Sequence, residues 1–329
     1  MLQFPVISSV LSASKLGEFL QQEYSLSKHT ECALFRTAMN HVYMVTDVDK
    51  KYVFRVYNFD WRTKTEIAEE LRLLIYLSKN KASVSYPIAD ISNEYIQELN
   101  APEGKRFGVL FSFADGAKSA RFNEETSFFI GQALAKVHMS AQNFELKRVT
   151  YNESILLIDS IKRAQAFFKK ETDEILFLKN LANFLQKEFA KIKNKEVRFG
   201  AVHLDVWFDN MHFNEDNKIT FFDFDFCGNG WLCLDISYFL FQLYVTNPNE
   251  EDYEIKAESF LKGYESIIEI SEEEKRILPL VCLGVMLYYI SVQCDRFDTW
   301  TNIFLNEDHL KRFTGNLKRW IDHNKIKIQ

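Results

Sequence analysis

Residues 202–226 read VHLDVWFDNMHFNEDNKITFFDFDF, and this stretch restricts the fold more than any other. Two apolar runs, 211–213 and 219–222, flank Asn214-Glu215-Asp216-Asn217, a cluster of turn-forming residues. The reading is a loop followed by a hairpin. The hairpin returns Asp223 to the side of Asn210, and the loop before it carries His203 and Asp205. Asp223 lies in an aromatic run, where an unpaired carboxylate is costly unless something binds it. Asp225 follows two positions later and shares a strand face with Asp223 if the strand runs on. A given set of four residue types at fixed spacing arises by chance at about one position in 10^5 at ordinary residue frequencies.

The order H-x-D-x-x-x-x-N, short hairpin, Asp is that of a kinase catalytic loop and its metal-binding aspartate. Phosphoryl transfer from ATP needs a carboxylate near the acceptor hydroxyl and magnesium to neutralise phosphate charge. Magnesium takes oxygen ligands such as an Asp carboxylate and an Asn carbonyl. The pattern therefore predicts Asp205 as the base, Asn210 and Asp223 as metal ligands, and His203 as a brace for the loop. Asp225 is either a second metal ligand, a group supporting the first, or neither.

The rest of the chain divides by texture. Before residue 112 the pattern is mainly β. ALFRTAMNHVYMVTDVDKKYVFRVY alternates around Asp47-Val48-Asp49-Lys50 and reads as a hairpin, with further strands near 94–99 and 106–113. A short amphipathic helix is expected over 12–28. In KTEIAEELRLLIYLSKN, residues 64–80, Ile67, Leu71, Leu74 and Ile75 fall on one helical face. After Ala114-Asp115-Gly116 the periodicity turns helical, with one β-rich interlude over 198–226. The expected fold class is α+β and bilobal. Residues 1–112 form a small antiparallel-sheet lobe with one main helix, and residues 113–329 form a larger, mostly helical lobe.

Net charge is −6 and no Lys/Arg run is long enough to suggest a nucleic-acid tract. The five cysteines are odd in number and lack a CxxC pair, so they read as reduced thiols of a cytoplasmic protein. The start of the chain lacks the basic-then-apolar pattern of a signal peptide. Residues 277–294 are the most apolar stretch, but Pro279, Gly284 and Gln293 interrupt it and SEEEKR precedes it. A buried core helix is expected there rather than a membrane span.

The motifs taken together resemble the aminoglycoside phosphotransferase/choline kinase-like family, a branch of the protein-kinase-like fold. YVFRVY (52–57) is similar to the family's phosphate-pairing strand and AEELRLLIYL (68–77) to the helix carrying its ion-pair partner. The resemblance thus implies Arg55 and Glu70 in those roles. VLFSFADG (109–116), with Phe111 and Phe113, resembles the hinge that contacts adenine through backbone groups. IGQALAKVH (130–138) resembles the family's G-x-x-L-A-x-L-H helix, and His138 reads as structural. HLDVWFDN resembles the catalytic loop. Asp235 holds the place, twelve positions past the metal Asp, of the aspartate that braces that loop. Asn40-His41-Val42-Tyr43 before a basic strand, the D-x-D-x-x-x-N-G of 223–230 and the LYYI helix resemble stress-response kinase A and the type II homoserine kinases.

The resemblance implies an ATP- and Mg2+-dependent phosphotransferase acting on a hydroxyl of a small molecule or a protein Ser/Thr, with no nucleic-acid or membrane partner. It fixes no oligomeric state. The acceptor site is expected from 150–195 and the late helices, with Tyr288, Asp295 and Trp300 as wall residues.

Three departures from the family pattern bear on activity. Leu204 stands where H-G-D has glycine, the nucleotide loop near 36–42 has no glycine and would lean on Asn40, and Arg55 replaces lysine. They leave room for a non-catalytic nucleotide-binding module. A haloacid-dehalogenase-like phosphatase built on FFDFDF is a further alternative, but it leaves the upstream loop unexplained.

Overall fold

The alternation over 31–57 becomes three strands. After α1 (Ala13–Glu23), β1 (Glu31–Thr37) pairs antiparallel with β2 (Asn40–Asp47), which turns through Val48-Asp49 into β3 (Lys50–Tyr57). The computed structural model describes residues 4–119, 121–169, 171–247 and 249–328. These fall into two compact units, one ending at Asp115 and the other beginning at Gly116.

The first unit continues with α2 (Lys64–Lys79), β4 (Gln97–Ala101) and β5 (Gly104–Ser112). Its sheet is antiparallel in the order β1-β2-β3-β5-β4. One sheet face buries Tyr43, Val45, Phe54, Val56 and Leu110 against Leu16 and Leu20 of α1. Helix α2 starts at a capping box in which Thr63 and Glu66 satisfy each other's backbone N–H. It buries Ile67, Leu71 and Leu74, and on the same helix Glu70 is fully enclosed. Helix α1 stops at Glu23, five residues short of the expectation, because Tyr24 leaves the helix there.

The second unit is mostly helical: α3 (Glu124–Ala141), α4 (Asp159–Phe168), α5 (Asp173–Phe189), α6 (Cys233–Thr246), α7 (Glu250–Glu265), α8 (Glu272–Asp295) and α9 (Glu307–His323). Two small ribbons lie between α5 and α6. In one, β6 (Phe199–Val202) pairs with β9 (Gly228–Trp231); in the other, β7 (Met211–Phe213) pairs with β8 (Ile219–Phe221). Helices α3 and α7 approach so closely that a Cβ on Gly131 would stand 2.0 Å from the carbonyl oxygen of Phe260, and one on Gly263 equally near that of Phe128. Only glycine permits that contact.

Helix α8 alone among the described residues is long and apolar enough to cross a membrane, and 83% of its apolar window is buried inside the protein. It is a core helix. Its first turn is fixed by a Ser271–Glu274 capping box, and Glu274 also takes a bidentate pair from Arg198.

Gly228-Asn229-Gly230 has turn-forming composition, but it belongs to strand β9. Its Asn229 side chain donates to the carbonyl of Leu146 and accepts from the N–H of the same residue, as a neighbouring strand would. The aromatic strand before it ends at Phe221, so Asp223 and Asp225 lie beyond it.

Candidate active site

In the second unit, β6 delivers the chain to residue 203 and the β7–β8 hairpin returns it to residue 222. The intervening loop is held by its own polar groups. Asp235, in the first turn of α6 and 0% exposed, accepts the backbone N–H groups of His203 (2.8 Å) and Leu204 (2.6 Å). His138 of α3 donates from Nε2 to the same carboxylate at 3.0 Å, and its Nδ1 accepts from the Tyr264 hydroxyl. Leu204 lies in the left-handed region at φ 66°, which explains why glycine suits this position.

His203 joins the two ends of the constellation. Its Nδ1 accepts from the N–H of Asp205 (3.2 Å), which makes Nε2 the donor to the carbonyl of Phe222 (3.1 Å). Its ring rests on Phe224 with centroids 4.1 Å apart. The N–H of Phe222 donates to the carbonyl of Asn210. Phe222 is thus anchored on both sides immediately before Asp223.

Asp205 is partly buried. Its Oδ1 accepts from the Tyr238 hydroxyl (2.9 Å) and its Oδ2 from Nδ2 of Asn210 (2.7 Å). Burial pushes its carboxyl above the ordinary carboxylate range; the negative charge of Asp223 adds to this, while His203, Tyr289 and Tyr238 oppose it. The Asn210 amide nitrogen also donates to the Asp205 carbonyl (3.1 Å), which leaves Oδ1 of Asn210 as an available oxygen.

Asp223 is exposed, with φ 64° and ψ 61°. Asp225 sits in the short turn 224–226 and is 2% exposed. The premise of a shared strand face therefore fails, because the backbone turns left-handed at the first aspartate. The residues present do fit a hard divalent cation. Among the described residues no group of three or more His, Cys, Asp or Glu forms a metal cage. Two protein oxygens, from Asn210 and Asp223, with the rest supplied by phosphate and water, is the way magnesium is usually held.

In the first unit, Arg55 of β3 forms a buried ion pair with Glu70 of α2, and the Tyr57 hydroxyl donates to the other Glu70 oxygen at 3.0 Å. The Arg55 guanidinium lies 4.9 Å from the Tyr57 ring centroid and 4.6 Å from that of Phe111. A planar guanidinium can also stack on such rings, which a lysine ammonium cannot. Phe111 is 5% exposed, so its side chain supports Arg55; Phe113 lies 5.7 Å from the Lys51 amine. Asn40 is 6% exposed, and its Oδ1 accepts from the N–H of Asn58 at 3.4 Å. The turn Ala38-Met39 is tied down by Asn58, whose Nδ2 donates to both carbonyls.

Of the expected wall residues, Tyr288 is packed edge-on against Tyr151, Asp295 pairs with Arg163 at 3.2 Å, and Trp300 meets Phe304. Sequence reasoning missed Tyr238 and Tyr289, both of which reach the Leu204–Asp205 segment. The one available signal was that Tyr238 lies three positions after Asp235 on a helix, hence on the same side.

The antiparallel sheet with its buried Arg–Glu pair, and the helical unit with its aspartate-bearing loop, define a phosphotransferase of protein-kinase-like fold with a hydroxyl acceptor. The chain belongs to the phosphotransferase enzyme family, whose model matches residues 34–270. It is 27% identical over 319 residues to an uncharacterised protein of Synechocystis, covering 96% of this chain and 87% of the relative. It is 22% identical over 298 residues to a homoserine kinase of Bradyrhizobium diazoefficiens, with 89% and 86% covered. An amicoumacin kinase solved in complex with AMP-PNP, Ca2+ and Ami shares the fold, with a TM-score of 0.74 at 22% identity over 97% of this chain and 95% of that one.

Proposed function

We propose that the protein is an ATP- and Mg2+-dependent kinase of a small hydroxyl-bearing molecule, with Asp205 as the base. The observation that carries this reading is the state of Asp205. Its carboxylate is fixed through both oxygens, by the Tyr238 hydroxyl and the Asn210 amide, and burial pushes its proton affinity up, with the Asp223 charge acting the same way. A base whose proton affinity is raised toward the working pH is a better acceptor for a hydroxyl proton.

Asp205 would take that proton as the acceptor oxygen forms its bond to the terminal phosphorus of ATP and ADP departs. Asn210 and Asp223 would hold magnesium, which when bound neutralises phosphate charge. Arg55, oriented by Glu70 and the two flanking rings, would face phosphate oxygens. Phe111 and Phe113 would line the segment whose backbone meets the base, and Asn40 would act at the nucleotide loop beside the turn that Asn58 ties down. His203 and Asp235 would keep the loop in shape. Homoserine kinase and amicoumacin kinase among the similar proteins point to amine-bearing alcohols as the first acceptors to try.

The test is an ATP-consumption assay over a panel of such alcohols, with Asp205→Asn and Asp223→Asn alongside. Each variant is expected to lose at least roughly a hundredfold in kcat. Full activity in either would overturn the assignment of roles. Stabilisation by ATP in a thermal-shift assay is expected to require Mg2+ and to weaken in Asp223→Asn.

A further inference from the structure

We infer that Tyr238 and Tyr289 form a stacked pair of positioning residues that holds the catalytic loop and aims the Asp205 carboxylate. The inference rests on the reading of Asp205 as the base. Tyr238 comes from α6 and Tyr289 from α8, and their rings stack with centroids 5.3 Å apart and planes inclined by 16°. Phe226 backs Tyr289 at 5.3 Å, and Tyr288 lies 6.2 Å from it. The pair is therefore set by packing from two long helices and from the segment just after Asp223.

The two hydroxyls act on adjacent residues. Tyr238 donates to Oδ1 of Asp205 at 2.9 Å, and Tyr289 donates to the carbonyl of Leu204 at 3.2 Å. Leu204 needs such support because a leucine does not hold φ 66° by preference. Its N–H is fixed by Asp235 and its carbonyl by Tyr289, so the residue that leads into Asp205 is held on both sides. Tyr238 then removes the remaining freedom of the Asp205 side chain, opposite to the bond from Asn210. Burial keeps both phenols protonated far beyond neutral pH, so each remains a donor throughout the working range.

Tyr238→Phe and Tyr289→Phe keep the rings and remove only the hydroxyls. Each is expected to lower kcat roughly ten- to a hundredfold, as small misplacements of a reacting group do. KM for ATP is expected to stay within about twofold, and the thermal midpoint to fall only by the few degrees that one lost buried hydrogen bond costs, since the stacked rings persist.

Asp205→Ala serves as the reference. If it keeps activity, the reading of Asp205 as the base fails. If it cuts turnover at least roughly a hundredfold while both Phe variants keep kcat within about twofold of wild type, the positioning role alone is overturned. Tyr238→Phe is expected to cause no further loss in the residual turnover of Asp205→Ala, because it acts through that carboxylate. A multiplicative loss there, or a kcat loss that disappears when the variants are assayed well below their thermal midpoints, would overturn the inference.

Discussion

Oδ1 of Asp235 accepts the backbone N–H of Leu204 at 2.6 Å, and Leu204, a fully buried leucine, is held in the left-handed region at φ 66°. The aspartate is fully buried and takes two further bonds, from the N–H of His203 and from His138. Every contact it makes is with a donor. Asp235→Asn places an NH2 group against one of those donors and removes the charge that strengthens the remaining bonds. A loss of about 3 kcal/mol in unfolding free energy is expected, together with most of the activity. Denaturant unfolding followed by an activity assay checks both; unchanged stability would show that the loop holds its shape without the aspartate.

Leu204 itself offers a test of which effect dominates at that position. Glycine would relieve about 1–2 kcal/mol of backbone strain. It would also forfeit about 2–3 kcal/mol from a side chain that is 0% exposed, plus a cavity term. The lost packing is the larger effect, so Leu204→Gly is expected to destabilise the protein by about 1–2 kcal/mol. An increase in the thermal midpoint would mean that strain is the larger quantity.

Arg55 and Glu70 form a buried pair in which the guanidinium also lies over the rings of Tyr57 and Phe111. Glu70→Gln leaves the cation without its counter-charge, which costs about 3 kcal/mol or more. If Arg55 meets phosphate, ATP with Mg2+ should restore a larger share of the thermal midpoint in this variant than in wild type. Arg55→Lys keeps the charge and loses the stacking, so it is expected to raise KM for ATP more than it lowers kcat. Equal ATP stabilisation of wild type and Glu70→Gln would argue against phosphate contact at Arg55.

Much of this was legible because it was local. The 3.6-residue spacing of Ile67, Leu71 and Leu74 marked α2, and the turn residues 214–217 marked the hairpin between β7 and β8. Strand β1 was harder to separate, because it is an edge strand with Leu34 and Phe35 exposed and a bulge between Leu34 and Arg36. Gly228-Asn229-Gly230 has the composition of a turn, and only the distant partner Leu146 shows why Asn229 sits in a strand. The tyrosine pair was illegible for the same reason: Tyr238 reaches Asp205 from 33 residues away and Tyr289 reaches Leu204 from 85. No short pattern encodes contacts of that range. Asn40, expected near the nucleotide loop, accepts the backbone N–H of Asn58 through its side chain, a contact 18 residues away that no short pattern shows.

His41 links the first unit to acid sensitivity. It lies on β2, is 4% exposed, and its Nδ1 has no hydrogen-bond partner among the described residues. Burial holds its pKa down at about 4; the neighbouring Arg106 charge acts in the same direction and Glu103 opposes it. The unfolded chain takes up this proton near pH 6.5, whereas the folded chain refuses it until about pH 4. The native state is therefore at full stability from this group above pH 6.5, and stability falls as the pH drops through that window. The whole gap is worth up to roughly 3 kcal/mol. Because the ring nitrogen is unsatisfied, His41→Leu is expected to fold with little loss at pH 7. Between pH 7 and pH 5 wild type is expected to lose about 2 kcal/mol more than His41→Leu. Denaturant titrations at the two pH values measure this difference, and parallel losses in the two proteins would show that His41 does not set the acid limb.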